Sequence, residues 1–264
     1  MKNIVKFLIL SLVMLTVVTF MKVSNLQDNF LITFLFTLPS LLAAFAAFYV
    51  FKKMHFKSAR GKVFLFLALG LSLWAIAEFL WMMAVVFWDI KPFPSFIDYF
   101  YLLAYPLLAI GFWLEYRMNQ INWTMKKAIT LSTLSILLVT MTGYFGVYQA
   151  YDAGNAFWEN TANILYGLGD VVLSILVLLI LAIVIEYKRG RFFLPWLYVF
   201  VANLLMIGAD VLFSLYFKEY EQGIRLYRYM DFLWAGSYLL FAYGFLRIAW
   251  IIEEINQEIK LKSE

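Results

Sequence analysis

The sequence predicts an all-α integral membrane protein, with eight transmembrane helices arranged as a tandem parallel 4+4 repeat and both termini cytoplasmic. Three observations carry that expectation. Of 264 residues, 64% are hydrophobic and 14% charged, with a mean hydropathy of +0.82, which leaves too little polar surface to clothe a water-soluble globule. Apolar runs of about 20 residues, the length that crosses roughly 30 Å of hydrocarbon, recur along the whole chain. The second half also repeats features of the first at an offset of 132 to 133 residues.

The spans are expected near residues 4–21, 29–51, 63–88, 97–116, 127–149, 161–186, 193–217 and 231–252. In the first, Lys2 and Lys6 precede an apolar run as in a signal peptide, but Phe20 and Met21 stand where a cleavage site needs small residues, so it reads as a retained anchor. Basic residues near span ends are held on the cytoplasmic side. With the amino terminus inside, sixteen of the 21 Lys and Arg fall in cytoplasmic segments, including Lys52, Lys53, Lys57, Arg60 and Lys62 after the second span and Lys188, Arg189 and Arg191 after the sixth. Lys22, Lys91, Lys218, Arg225 and Arg228 fall outside. The pI near 9.0 is therefore a topology signal, and no aromatic interleaving suggests a nucleic-acid surface. The expected home is the plasma membrane, with the bilayer as the standing partner.

Composition also excludes chemistry. There is no cysteine and a single histidine, His55, so disulfides, thiolate catalysis, Cys-ligated metals, a three-histidine zinc site and a Ser/His/Asp triad are all absent from the expectation. No enzyme activity, metal site or cofactor is expected.

The repeat is read from its register. Ala77-Glu78-Phe79-Leu80-Trp81 aligns with Ala209-Asp210-Val211-Leu212-Phe213. Asp98 and Asp231 follow, each with an aromatic at +3 (Tyr101, Trp234), a tyrosine at +7 (Tyr105, Tyr238) and a glycine at +13 (Gly111, Gly244). Positions +3 and +7 return to the acid's own helical face, and the glycine, on the opposite face, admits a close helix contact. Four spans per unit make the two halves parallel, related by an axis along the membrane normal. The expected units are 1–121 and 122–252, followed by a cytoplasmic helical tail over 253–264 with Ile251, Ile255 and Ile259 on one stripe.

A carboxylate within a span is costly and marks function by default. Glu78, Asp170 and Asp210 are such residues, roughly 10 to 15 Å from the outer ends of their spans at 1.5 Å per residue. Trp74 and Trp81 share the face of Glu78, and Asn203 shares that of Asp210. Carboxylates flanked by aromatic faces suit a cationic ligand through charge and cation–π contact. The candidate ligand-binding set is therefore Glu78, Asp170, Asp210, Trp74, Trp81, Tyr105, Tyr238, Trp234 and Asn203, with Asp98 and Asp231 as helix caps. The same acids, with Asn163, Asn203 and the tyrosines, also suit a second reading, in which they hydrogen-bond one another to fix helix packing. Asp170 has no counterpart in the first half, and Gly167 and Gly169 beside it leave room for a ligand or a neighbouring helix. No ionisable group is expected to continue the path through the inner half of the spans.

The run Pro94-Ser95, Asp98, Tyr101-Leu102, Tyr105-Pro106-Leu107 and Gly111 resembles the multi-span amino-terminal membrane region of bacterial and archaeal signalling proteins, which precedes diguanylate cyclase, cyclic-di-GMP phosphodiesterase or histidine kinase domains. Asp210 and Asp231-Phe232-Leu233-Trp234 are similar to its later spans. The resemblance implies a sensory input module whose ligand is generally unassigned; the acids and aromatics themselves suggest an outward-facing pocket between the repeats for a small ligand, cation or lipid, with span eight carrying the signal. Such regions continue into a catalytic domain, whereas this sequence ends at Glu264, so the resemblance implies a receptor subunit acting through a separate cytoplasmic kinase or cyclase, or the membrane part of a longer protein. A secondary transporter or proton-coupled carrier is the alternative from another class.

Overall fold

A computed structural model describes residues 2–24, 29–54, 58–188 and 190–263, the side chains of residues 2 and 4 excepted. His55, Lys57 and Arg189 of the sequence reading lie outside the described residues, as do the side chain of Lys2 and the final residue, Glu264. The helices are α1 (Lys2–Lys22), α2 (Phe30–Met54), α3 (Ala59–Met83), α4 (Asp98–Met118), α5 (Met125–Gly143), α6 (Phe157–Glu186), α7 (Phe193–Leu215), the short α8 (Phe217–Glu221) and α9 (Met230–Ser263). Single π-helical turns, Ala84–Trp88 and Tyr144–Tyr148, extend α3 and α5. No strand occurs among the described residues.

Local chemistry sets several of these boundaries. Ser58 caps α3 by accepting from the Gly61 N–H, and Thr124 caps α5 by accepting from the Lys127 N–H. The run beyond α3 stops at Asp89, whose φ of 50° is left-handed and ends a helix. Among the described residues, seven helices are long and apolar enough to cross a membrane: α1, α2, α3 with its π turn, α5 with its π turn, α6, α7 and α9. The fourth expected span, α4, has 21 residues but is not among them, because Tyr99, Tyr101, Tyr105, Tyr116, Pro106 and Glu115 dilute its hydropathy.

Six helices close into a ring. Around it, α2 packs on α3, α3 on α4, α4 on α6, α6 on α7, α7 on α9, and α9 back on α2. The remaining long helices stand outside, α1 against α2 and α5 against α6. Small residues set the close approaches. Gly70 of α3 receives Leu108, while Gly111 of α4 receives Leu67. Ala43, Ala46 and Ala47 of α2 are fully buried. The outer faces expose large apolar side chains, among them Phe45, Leu103, Ile136 and Ile175, as expected where hydrocarbon rather than water is the solvent.

Candidate functional site

A cavity lies at one end of the ring, where α2, α4, α6 and α9 begin and α3 and α7 finish, and it encloses about 1040 Å³ of atom-free space including its mouth. The described chain termini, Lys2 and Ser263, belong to the opposite end. Among the described residues the cavity gathers five carboxyl groups, Glu78, Asp98, Asp170, Asp210 and Asp231, against a single base, Arg228. Trp74, Trp81, Tyr105, Trp234 and Tyr238 line it as well, so the structure brings together every residue of the sequence-derived set except Asn203. That amide donates to the carbonyl of Val199 on its own helix at 2.8 Å and is 1% exposed outside the cavity lining. It binds the backbone of its own helix, its Oδ1 is buried without a partner, and it joins neither the ligand set nor the mutual hydrogen bonding of the packing reading.

Each acid accepts a hydrogen bond from an aromatic side chain. Tyr238 donates to Glu78 at 3.1 Å, Tyr105 to Asp170 at 2.9 Å, the Trp234 indole N–H to Asp210 at 2.8 Å, Tyr166 to Asp98 at 2.7 Å and Tyr220 to Asp231 at 2.7 Å. Three of these bonds cross between helices of different halves: Tyr238 of α9 with Glu78 of α3, Tyr105 of α4 with Asp170 of α6, and Tyr166 of α6 with Asp98 of α4. Asp170 and Asp210 line the same cavity from the adjacent helices α6 and α7. Trp74 joins the arrangement at its floor, edge-on to Tyr105 at 5.8 Å and to Tyr238 at 6.2 Å between ring centroids. An aromatic wall forms around Phe213, with Tyr220, Trp234, Trp81 and Phe93 at 5.2 to 6.5 Å.

The two cap residues differ. Asp98 accepts from the Ser95 N–H at 2.6 Å while the Ser95 hydroxyl accepts from the Ile97 N–H at 3.1 Å. The acid thus reaches back three residues to the Ser95 backbone and fixes the turn that leads into α4, whose N-cap, Ile97, makes no side-chain cap bond. Asp231, in the first turn of α9, instead faces Arg228, with Nη2 2.9 Å from its Oδ2. The guanidinium lies 4.3 Å from the Tyr220 ring centroid. Both aspartates also line the cavity, so architecture and site share them.

Sequence reasoning passed over Tyr166, Tyr220 and Arg228. Spacing offered a signal for two of them, since Tyr166 lies four residues before Asp170 on α6 and Arg228 three before Asp231. Tyr220, on the short α8, had none. The glycines beside Asp170 are filled: a Cβ on Gly167 would stand 2.0 Å from the Gly146 carbonyl oxygen, and one on Gly169 would stand 2.5 Å from the Tyr105 ring. The room they provide is taken by neighbouring elements of the fold.

The expectation of no ionisable group towards the other end of the spans is corrected by Glu115. It sits near the far end of α4, 1% exposed, with Oε1 accepting from Asn119 at 3.2 Å and Oε2 unpartnered. Tyr187 donates to Asn119 at 2.5 Å and accepts from Arg60 at 3.3 Å. Burial, and then the nearby Glu115, raise the Tyr187 hydroxyl above the ordinary tyrosine range, so it remains a neutral donor. Among the described residues no group of three or more His, Cys, Asp or Glu side chains is placed to hold a metal ion. The cavity acids are dispersed along its walls. No protein-family model, curated protein or solved structure matches the chain.

Proposed function

We propose that the protein is a membrane sensor module that binds a small organic cation in this cavity and signals through α9. The observation that carries the reading is the charge balance of an aromatic-walled cavity, five acids against one arginine. Ammonium groups gain both charge and ring-face attraction in such a setting. The topology we favour is eight spans in the plasma membrane, with α4 included, both termini cytoplasmic and the cavity facing outward. The tandem units 1–121 and 122–252 find support in the packing: α2 with α3, α3 with α4 and α4 with α6 correspond, at the repeat offset, to α6 with α7, α7 with α9 and α9 with α2. Gly111 against Leu67 likewise corresponds to Gly244 against Val199.

Signalling follows from continuity. The helix α9 carries Asp231, Trp234 and Tyr238 at the cavity and runs unbroken through 34 residues to Ser263, so a shift at one end is transmitted over about 50 Å. At the far end Glu253 accepts from Tyr49 at 2.8 Å and pairs with Lys53 at 2.8 Å, both on α2. A ligand that prefers one arrangement of the α2–α9 seam biases this latch, and a separate kinase or cyclase that docks on the tail 253–264 reads it. The test is thermal stabilisation of purified protein across a panel of amines, metal cations and lipids, in the wild type and in Glu78→Gln and Asp210→Asn. Amines are expected to stabilise the wild type and to lose most of that effect in both variants; stabilisation indifferent to the substitutions overturns the pocket.

Glu115 favours a second reading, a carrier, because it places a buried acid on the other side of the cavity floor. Flux of a bound amine into proteoliposomes supports the carrier, and binding without flux supports the sensor.

A further inference from the structure

Arg228 is the one base lining the cavity, and its side chain is not fully used. It is 8% exposed, and Nη2 is committed to Asp231 at 2.9 Å. The guanidinium carbon lies 4.3 Å from the Tyr220 ring centroid. Nε–H has no acceptor. A buried charged donor without a partner is the reverse of the usual pattern, and here it belongs to a residue that lines the cavity. Each of the five acids already accepts from an aromatic side chain, while Asp231 Oδ2, beside Nη2, is buried without a hydrogen-bond donor, so this ion pair leaves one donor and one acceptor unmet. Nε therefore lacks an acceptor, and the described lining supplies no base beyond Arg228 for Glu78, Asp170 and Asp210.

We propose that the ligand is a zwitterionic amino-carboxylate with an apolar body: its ammonium group is held by the deep acids, its carboxylate accepts from Arg228 Nε, and its apolar part lies against the wall around Phe213. The deep acids and Arg228 attach to different helices, with Glu78 on α3, Asp170 on α6, Asp210 on α7 and Arg228 just ahead of α9. Opposite charges on one small molecule are thereby received by separate elements. Planar recognition of a carboxylate is a task that guanidinium performs better than ammonium. The rings around Phe213, edge-on or tilted to one another, accept an aromatic or branched body on the same terms. An N-methylated or long-chain amine lacks the acceptor and leaves Nε unsatisfied.

This inference rests on the cation-binding reading and is separable from it by experiment. Binding of L-phenylalanine, phenethylamine and 3-phenylpropionate to the purified full chain is measured at one pH for the wild type and Arg228→Lys. Phenylalanine is expected to bind at least tenfold more tightly than phenethylamine, with 3-phenylpropionate the weakest. Arg228→Lys, which keeps the charge opposite Asp231 and loses the planar fork, should bring phenylalanine to the level of phenethylamine while leaving phenethylamine unchanged, a result that also reports the variant's folding. If the variant does not fold, the wild-type ratio decides. Phenethylamine binding as tightly as phenylalanine overturns the zwitterion and leaves the cation reading standing. Wild-type protein that binds none of the three, or binds 3-phenylpropionate as tightly as phenylalanine, overturns both.

Discussion

Trp74 stands between Tyr105 and Tyr238 and is 2% exposed, so its indole orients the donors of two acids on different helices. Truncation removes a large buried side chain and both edge contacts. Trp74→Ala is expected to cost about 3–5 kcal/mol and Trp74→Phe clearly less, as measured by thermal unfolding in detergent. Tyr105→Phe isolates the hydrogen bond from the ring. It leaves the 3%-exposed Asp170 without its tyrosine donor and is expected to cost about 1–3 kcal/mol. Tyr238→Phe should cost less, because Tyr101 stands beside the same Glu78 carboxyl and replaces part of the loss. Equal effects of the two tyrosine substitutions would show that the paired donors do not share the load. At this scale the acids and most of their aromatic neighbours were legible, since carboxylates in apolar spans stand out and helical spacing shows which rings share their face. Tyr220 was not, because it reaches Asp231 from a separate short helix across a turn, and no periodicity reports that. Asn203 shares the helical face of Asp210, yet its amide satisfies its own backbone.

The elements carry a contrast between two glycines. On α6, Gly167 lies where a Cβ would meet the Gly146 carbonyl at 2.0 Å, whereas Gly208 on α7 has nothing within 4 Å. Backbone cannot step aside as a flexible side chain does, so Gly167→Ala is expected to destabilise by about 1–3 kcal/mol and to loosen α5 from α6. Gly208→Ala removes only the glycine penalty in a helix interior and should stabilise by about 0.5–1 kcal/mol. Opposite shifts of the unfolding temperature check both, and a neutral Gly167→Ala would refute the close approach. The existence of long helices was plain from the length of the apolar runs. That α4 is more polar than its neighbours follows from its position in the ring, with α3 and α6 on either side and Tyr101 and Tyr105 turned to the cavity. Such a helix does not need a uniformly apolar surface. Beyond α9's cavity end, Arg191 pairs with Glu258 at 2.9 Å with both side chains half exposed. A pair in that setting contributes about 0–1 kcal/mol, so the tail is not anchored by it and can move with α9.

For the whole molecule, the absence of cysteine makes single-cysteine labelling direct. Ala153→Cys and Gln222→Cys lie towards the cavity end, and Gly190→Cys and Ser263→Cys lie towards the other. In intact cells a membrane-impermeant maleimide is expected to label the first pair and to reach the second only after lysis. Labelling of all four in intact cells, or the reverse pattern, would overturn the proposed topology. The same experiment bears on α4: the single-cysteine variants Lys91→Cys, between α3 and α4, and Asn122→Cys, between α4 and α5, label from opposite sides if α4 crosses the membrane and from the same side if it does not.

The sequence by itself determined that this is a bundle of long apolar helices, where most of them begin and end, and which acids are out of place in hydrocarbon. Those are local properties, written in hydropathy, helical period and the cost of a buried charge. Only the tertiary structure decided that five acids from five helices face one cavity, that α4 and α9 close the seams of the ring, and that Arg228 meets them with an unspent donor. These are facts of packing between elements far apart in the chain, and a single sequence carries no term for the distance between them.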